Sequence, residues 1–126
     1  MLTSQELTRE KLTVYRAAVQ KRHEQEKAEL NRRREKAWQA AQRAARLLRE
    51  KFDASRVVVF GSLLRPTGFT QWSDVDIAAW GIAPENTFRA IGAVMDLKGE
   101  ITVNLVDVDT VRPAFLAVIE QEGVEL

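Results

Sequence analysis

Apolar side chains in the first 52 residues fall into two groups. Leu7, Leu12, Val14, Tyr15, Ala18 and Val19 form the first. Leu30, Ala37, Trp38, Ala41, Ala45, Leu48 and Phe52 form the second, spaced by threes, fours and sevens as one face of a helix requires. Between them, "KRHEQEKAEL" has almost nothing to bury. No Pro or Gly interrupts Thr3–Lys51, and the strong helix formers Ala, Gln, Glu, Lys and Arg dominate. Thr3 and Ser4 are N-cap candidates, with Glu6 three residues after Thr3 as the partner in a capping box. Fully helical, residues 4–50 would reach roughly 70 Å, too long for one helix of a compact small domain. The second group is expected to pack on the domain C-terminal to it. The first then needs another surface: a second copy, a partner protein, or its own chain folded back as a helical hairpin.

After residue 52 the period changes. "RVVVF" (56–60) is a continuous β-branched run, as expected of a strand buried on both faces. Gly61 lets the backbone turn, Ser62 opens a short helix, and Pro66 ends it by pushing residue 65 out of the α region. "SDVDIAAW" alternates as a strand. "PENTFRAIGAVMDLKG" predicts a helix with Pro84 in its first turn, Phe88, Ile91, Val94 and Met95 inward, and Gly99 as C-cap. "EITVNLVDV" predicts another strand, with Ile101, Val103 and Leu105 on one face and Thr102, Asn104 and Val106 on the other. Asp109 or Thr110 would cap a last helix whose Phe115, Leu116 and Ile119 complete the core. The pattern is α+β: a small mixed β-sheet flanked by helices, with a long N-terminal helical extension. Residues 53–126 alone make a slim core, so the helical arm is expected to cover one side of the sheet.

Composition narrows the setting. The chain has 126 residues, 45% of them hydrophobic, which is ordinary for a globular domain. No apolar run approaches the ~20 residues of a membrane span, so no membrane partner is expected. The start, "MLTSQELTRE", lacks a signal-peptide core, and a chain with no cysteine has no disulfide framework and no thiolate metal site, so a cytoplasmic location is the default reading. The net charge of +1 conceals a division. Residues 1–52 hold 14 Lys/Arg against 7 Asp/Glu, whereas residues 53–126 hold 5 against 11. A basic arm (1–52) is thus joined to an acidic domain (53–126), and the two are expected to do different jobs. "NRRREK" is the densest basic run. It reads either as a solvated face with Glu29–Arg33 type pairs or as a contact with RNA or an acidic partner. No Gly or aromatic residue interleaves there to form a stacking platform. His23, alone among charges, reads as solvated.

The candidate chemistry lies in "GSLLRPTGFTQWSDVD" (61–76). A strand, Gly-Ser and a helix start make a cradle for phosphate oxygens, though Gly-Ser alone is a weak signal. On a strand, Asp74 and Asp76 share a face while Val75 and Ile77 point to the core. Two adjacent carboxylates repel unless a cation sits between them, and Mg²⁺ prefers hard oxygen ligands. For an isolated Asp-x-Asp the plain reading is a polar strand start with Asp74 capping a turn. Arg65 reads as a phosphate contact or a solvated arginine. Trp72 reads as a base-stacking ring or a cover for the strand edge, and Trp80 reads as packing.

Taken together, Gly61, Ser62, Arg65, Gly68, Ser73, Asp74, Asp76 and Ile77 resemble the signature of the DNA polymerase β-type nucleotidyltransferase superfamily. The chain is most similar to its minimal nucleotidyltransferases, many encoded beside a HEPN-domain protein as toxin–antitoxin pairs. The resemblance runs from about Arg56 to "IEQEGVEL" and does not include the basic arm. The segment between Gly-Ser and Ser-Asp is slightly longer than the commonest family form. The resemblance implies that Gly61, Ser62, Arg65 and Ser73 bind a nucleoside triphosphate such as ATP, and that Asp74 and Asp76 hold Mg²⁺. A nucleotide, often AMP, then moves to an acceptor hydroxyl on a partner protein or RNA. An antitoxin with a HEPN-type toxin as partner, or a homo-oligomer through the N-terminal helix, is the implied setting.

One position departs from the family. Members carry a third carboxylate on the next strand, where this chain has Asn104. Asn104 offers a carbonyl oxygen but no charge, and it cannot act as a base. Asp107 faces the other way without a bulge, and Glu100 is roughly 13 Å away along the strand. Nucleotide and Mg²⁺ binding are therefore expected to survive better than turnover. A catalytically weak or inactive binding module of the same fold is the alternative, and a nucleic-acid-associated arm is a third reading.

Overall fold

The computed structural model describes residues 1–126. They form two compact units, Met1–Arg32 and Arg33–Leu126. Helix α1 (Ser4–Phe52) supplies all the regular structure of the first and the opening element of the second. It runs unbroken, so residues 4–50 form one helix and not a hairpin. The capping box is present: the Thr3 amide donates to Glu6 Oε2 at 2.8 Å, and the Glu6 amide donates to Thr3 Oγ1 at 3.2 Å. At the other end Asp53 adopts φ 57°, and the Ala54 amide reaches back to the Leu48 carbonyl at 3.1 Å. An aspartate thus takes the left-handed position usually given to glycine just past a helix end.

In the first unit, Leu7, Leu12, Val14 and Tyr15 of the first apolar group are all exposed. No helix is long and apolar enough to cross a membrane.

The second unit is a mixed α+β layer structure. Strands β1 (Arg56–Phe60), β2 (Val75–Trp80), β3 (Val103–Asp107) and β4 (Val124–Glu125) form one sheet in the order β3-β2-β1-β4. β1 is antiparallel to both β2 and β4, while β2 and β3 run parallel. The parallel pair is joined through helix α2 (Thr87–Met95), preceded by a 3₁₀ turn at Pro84–Asn86. Helix α3 (Pro113–Glu122) connects β3 to β4.

The period-2 rule assigns the faces. Val58 pairs with Ala78, and Ala78 with Val106, so these three share a face, and Ile119 of α3 joins them in a buried cluster. On the opposite face Val57, Val59 and Ile77 are fully buried. That face is buried together with Ala90 and Val94 of α2 and a stripe of α1: Ala37, Ala40, Ala41, Ala44, Ala45 and Leu48.

Four expectations fail. Phe88 is 88% exposed and Met95 52%, so of the four residues read as inward Val94 is buried and Ile91 half-buried, with Ala90 buried beside them; Asp96, not Gly99, ends it. Neither Asp109 nor Thr110 caps α3, whose N-cap is Arg112 without a side-chain bond; both bond back to Asp107 in a turn. Phe115 is half exposed and meets Phe60 edge-on at 5.9 Å, leaving Ile119 as the buried anchor.

Candidate functional site

β1 leaves the core at Phe60, and the chain enters a 3₁₀ turn at Gly61–Leu64, as the Gly-Ser signal predicts. Gly61 has φ +83°, a conformation side chains disfavour. A Cβ there would also lie 3.2 Å from Asp76 Oδ2. The absent side chain is what lets the turn approach the carboxylate, because Phe60 and Asp76 are paired neighbours across β1 and β2. The phosphate cradle read from the sequence and one of the two aspartates are thus in contact.

Asp76 sits on β2 between buried Val75 and Ile77 and is itself half-buried. Asp74 lies one residue before the strand and is exposed. The parallel register sets Asn104 of β3 directly beside Asp76. Asn104 Nδ2 donates to Asp74 Oδ2 and Asp76 Oδ1, each at 3.4 Å. These are long, shared bonds. They show that the two carboxylates converge on one point, on the same side of the sheet. Burial pushes the Asp76 carboxyl above the usual range, the Asn104 amide opposes this, and the charge of Asp74 adds to the rise.

Two oxygen donors of charge −1 each, converging beside an amide, suit a hard divalent cation such as Mg²⁺. Asp74 and Asp76 would hold it, with the Asn104 carbonyl oxygen as a neutral ligand. No cluster of three or more His, Asp or Glu side chains is assembled, because the third position is the amide.

The other predicted residues divide. Ser62 is partly exposed in the turn, where its carbonyl accepts from the Arg65 amide at 3.1 Å. The Arg65 side chain is exposed. Ser73 Oγ accepts from the Thr70 amide at 2.9 Å and pairs with Thr70 Oγ1 at 3.2 Å, so its hydroxyl shapes the loop before Asp74. Trp72 is 81% exposed and covers no strand edge. Trp80 packs as expected, with the Arg56 guanidinium 4.6 Å from its ring centroid. Glu100 is bound to Lys36 at 2.8 Å, which holds its carboxyl below the usual range and keeps it out of the site. Asp107 pairs with Ala79, on the other face from Asn104.

The basic run is where the sequence reading missed most. Arg33 does not pair with Glu29; its Nη2 donates to the Ser73 carbonyl at 2.9 Å and its Nε to that of Thr70 at 3.4 Å. Arg34 donates to the carbonyls of Leu63, Arg65 and Pro66 at 3.0, 2.9 and 3.1 Å. Only Arg32 of the three is fully exposed. A signal was present: Arg34 and Arg33 stand three and four residues before Ala37, so they continue the buried stripe of α1, whereas Arg32 falls on the opposite side. Two arginines of the run thus bond within the protein, while Asn31, Arg32, Glu35 and Lys36 are exposed. Neither a protein-family model nor a curated protein matches the chain.

Proposed function

We propose that the second unit is a nucleotidyltransferase-fold module that binds Mg²⁺ with a nucleoside triphosphate such as ATP. Its reaction is transfer of the nucleotide to a hydroxyl of a partner protein or RNA. The observation that carries this reading is the convergence of Asp74 and Asp76 on one point, in contact with the Gly61–Ser62 turn. In the reaction the acceptor oxygen forms a bond to the α-phosphorus, the bond from that phosphorus to the pyrophosphate oxygen breaks, and the hydroxyl proton passes to solvent water. Mg²⁺ would neutralise the charge that develops on the phosphate oxygens. The backbone amides of the turn can receive phosphate oxygens, and Asp74 and Asp76 orient them through the shared cation. An antitoxin acting on a HEPN-type toxin is the setting we propose.

Asn104 supports a second reading, a module that binds the nucleotide and acts by complex formation. An amide cannot take the hydroxyl proton, and no carboxylate beyond Asp74 and Asp76 joins it in the site. Incubation with α-labelled ATP, Mg²⁺ and a HEPN partner separates the two. Label on the partner supports the transferase. Nucleotide binding by calorimetry without transfer supports the module, and neither binding nor transfer defeats both.

A further inference from the structure

We propose that Arg33 and Arg34 are positioning residues, which clip the two ends of loop 63–73 to α1 and so set the spacing between the Gly61–Ser62 turn and Asp74. This rests on the nucleotide-binding reading above. The loop joins the two halves of the site, and it is long enough to be mobile if untied. Arg34 takes three carbonyls at its first end, Leu63, Arg65 and Pro66, where the 3₁₀ turn leaves acceptors unsatisfied. Arg33 takes two at its far end, Thr70 and Ser73, immediately before Asp74. Between them Phe69 is 2% exposed, with the two guanidinium carbons 5.9 and 5.3 Å from its ring centroid. One buried ring thus anchors the middle of the loop while two adjacent arginines hold its ends.

The geometry distinguishes this role from simple attraction of an anionic substrate. Both guanidinium groups point donors at backbone carbonyls, three bonds from Arg34 and two from Arg33, so much of their hydrogen bonding is made inside the protein. A lysine at either position keeps the charge. It cannot span carbonyls from two separated nitrogens, nor lie flat on Phe69. A preordered loop spares the ligand the ordering entropy that an untied one would demand.

The test compares Arg34→Lys and Arg33→Lys with the full-length protein. Amide exchange by NMR is read at Arg65, Thr70 and Ser73, each of which donates within the loop. Mg·ATP affinity is read by calorimetry, and circular dichroism confirms that each variant is folded. In Arg34→Lys we expect faster exchange at Arg65 and an affinity loss of about tenfold, the scale of one lost charge-assisted hydrogen bond. In Arg33→Lys the change should centre on Thr70 and Ser73. Wild-type exchange and affinity in both lysine variants would overturn the clip. So would weakened affinity with unchanged exchange, which would mean that the arginines act on the ligand directly. Failure of the wild type itself to bind Mg·ATP would instead defeat the functional reading. Exchange would then still decide whether the loop is clipped.

Discussion

Replacing Asn104 by aspartate puts the convergence of the three side chains to a quantitative test. The amide now donates to both carboxylates at 3.4 Å, so the aspartate would exchange two weak attractions for two repulsions. Unit charges 4 Å apart interact by about 1 kcal/mol in water and about 4 kcal/mol at an effective dielectric of 20. Asp74 is exposed and Asp76 half-buried, so the lower figure applies to each pair and about 2 kcal/mol is lost in all. For a cooperative unit of this size that lowers Tm by about 10 °C in chelator at neutral pH. Mg²⁺ at a hundred times its Kd returns about 2.7 kcal/mol, enough to cancel the loss. Differential scanning calorimetry with EDTA and then with excess Mg²⁺ reads both numbers from one variant. The loss should also shrink as pH falls, because protonation of any one carboxyl relieves the repulsion. If Asn104→Asp melts with the wild type in EDTA and gains nothing from Mg²⁺, the three side chains do not share a cation site. If it gains stability from Mg²⁺ and transfers AMP where the wild type does not, the asparagine is what separates binding from turnover.

Asp76→Asn should behave in the opposite way. Because burial raises the folded carboxyl above its unfolded value, the charged form destabilises the fold at neutral pH and ceases to as pH falls through the folded pKa. The variant should gain a little stability at neutral pH, lose that advantage in acid and show no Mg²⁺ shift on calorimetry. Gly61→Ala must hold a left-handed backbone and fit a methyl group 3.2 Å from Asp76 Oδ2, so it should cost about 1–2 kcal/mol in urea melts and weaken Mg·ATP binding. Unchanged binding in that variant would show that the close approach of turn and carboxylate is immaterial. Leu48→Ala, at a fully buried site of the α1 stripe, should lose about 2–5 kcal/mol in denaturant unfolding; a loss under about 1 kcal/mol would mean that α1 does not seal the core.

How far the sequence could be read depended on how local each signal was. The strand "RVVVF", the 3₁₀ turn at Gly-Ser, the Thr3–Glu6 capping box and the shared face of the two aspartates are set by neighbours within a few residues. Their stereochemistry decides them almost alone. Helix faces were less legible where the helix was short. In α2, nine residues long, two apolar stripes compete, and the sheet accepts the one with the small Ala90 and Val94 while Phe88 stays outside. The arginine run was misread for a related reason. Charge density says nothing about which side of a helix a residue occupies, whereas the phase of Ala37, Ala41 and Leu48 does.

Asn104 shows why a site can keep its geometry while its chemistry changes. The parallel register that places it beside Asp76 follows from backbone hydrogen bonds and from the burial of Val103 and Leu105, none of which depends on its own side chain. Exchanging a carboxylate for an amide at that point therefore leaves the sheet intact. It also removes like-charge repulsion and gives Asp74 and Asp76 a neutral donor in place of a cation. What such an exchange takes away is a negative ligand and a proton acceptor, both of which matter only when a hydroxyl must be deprotonated. Stability without a cation and capacity for proton transfer thus make opposite demands on this one side chain. The calorimetric response of Asn104→Asp measures the first demand and its catalytic response the second.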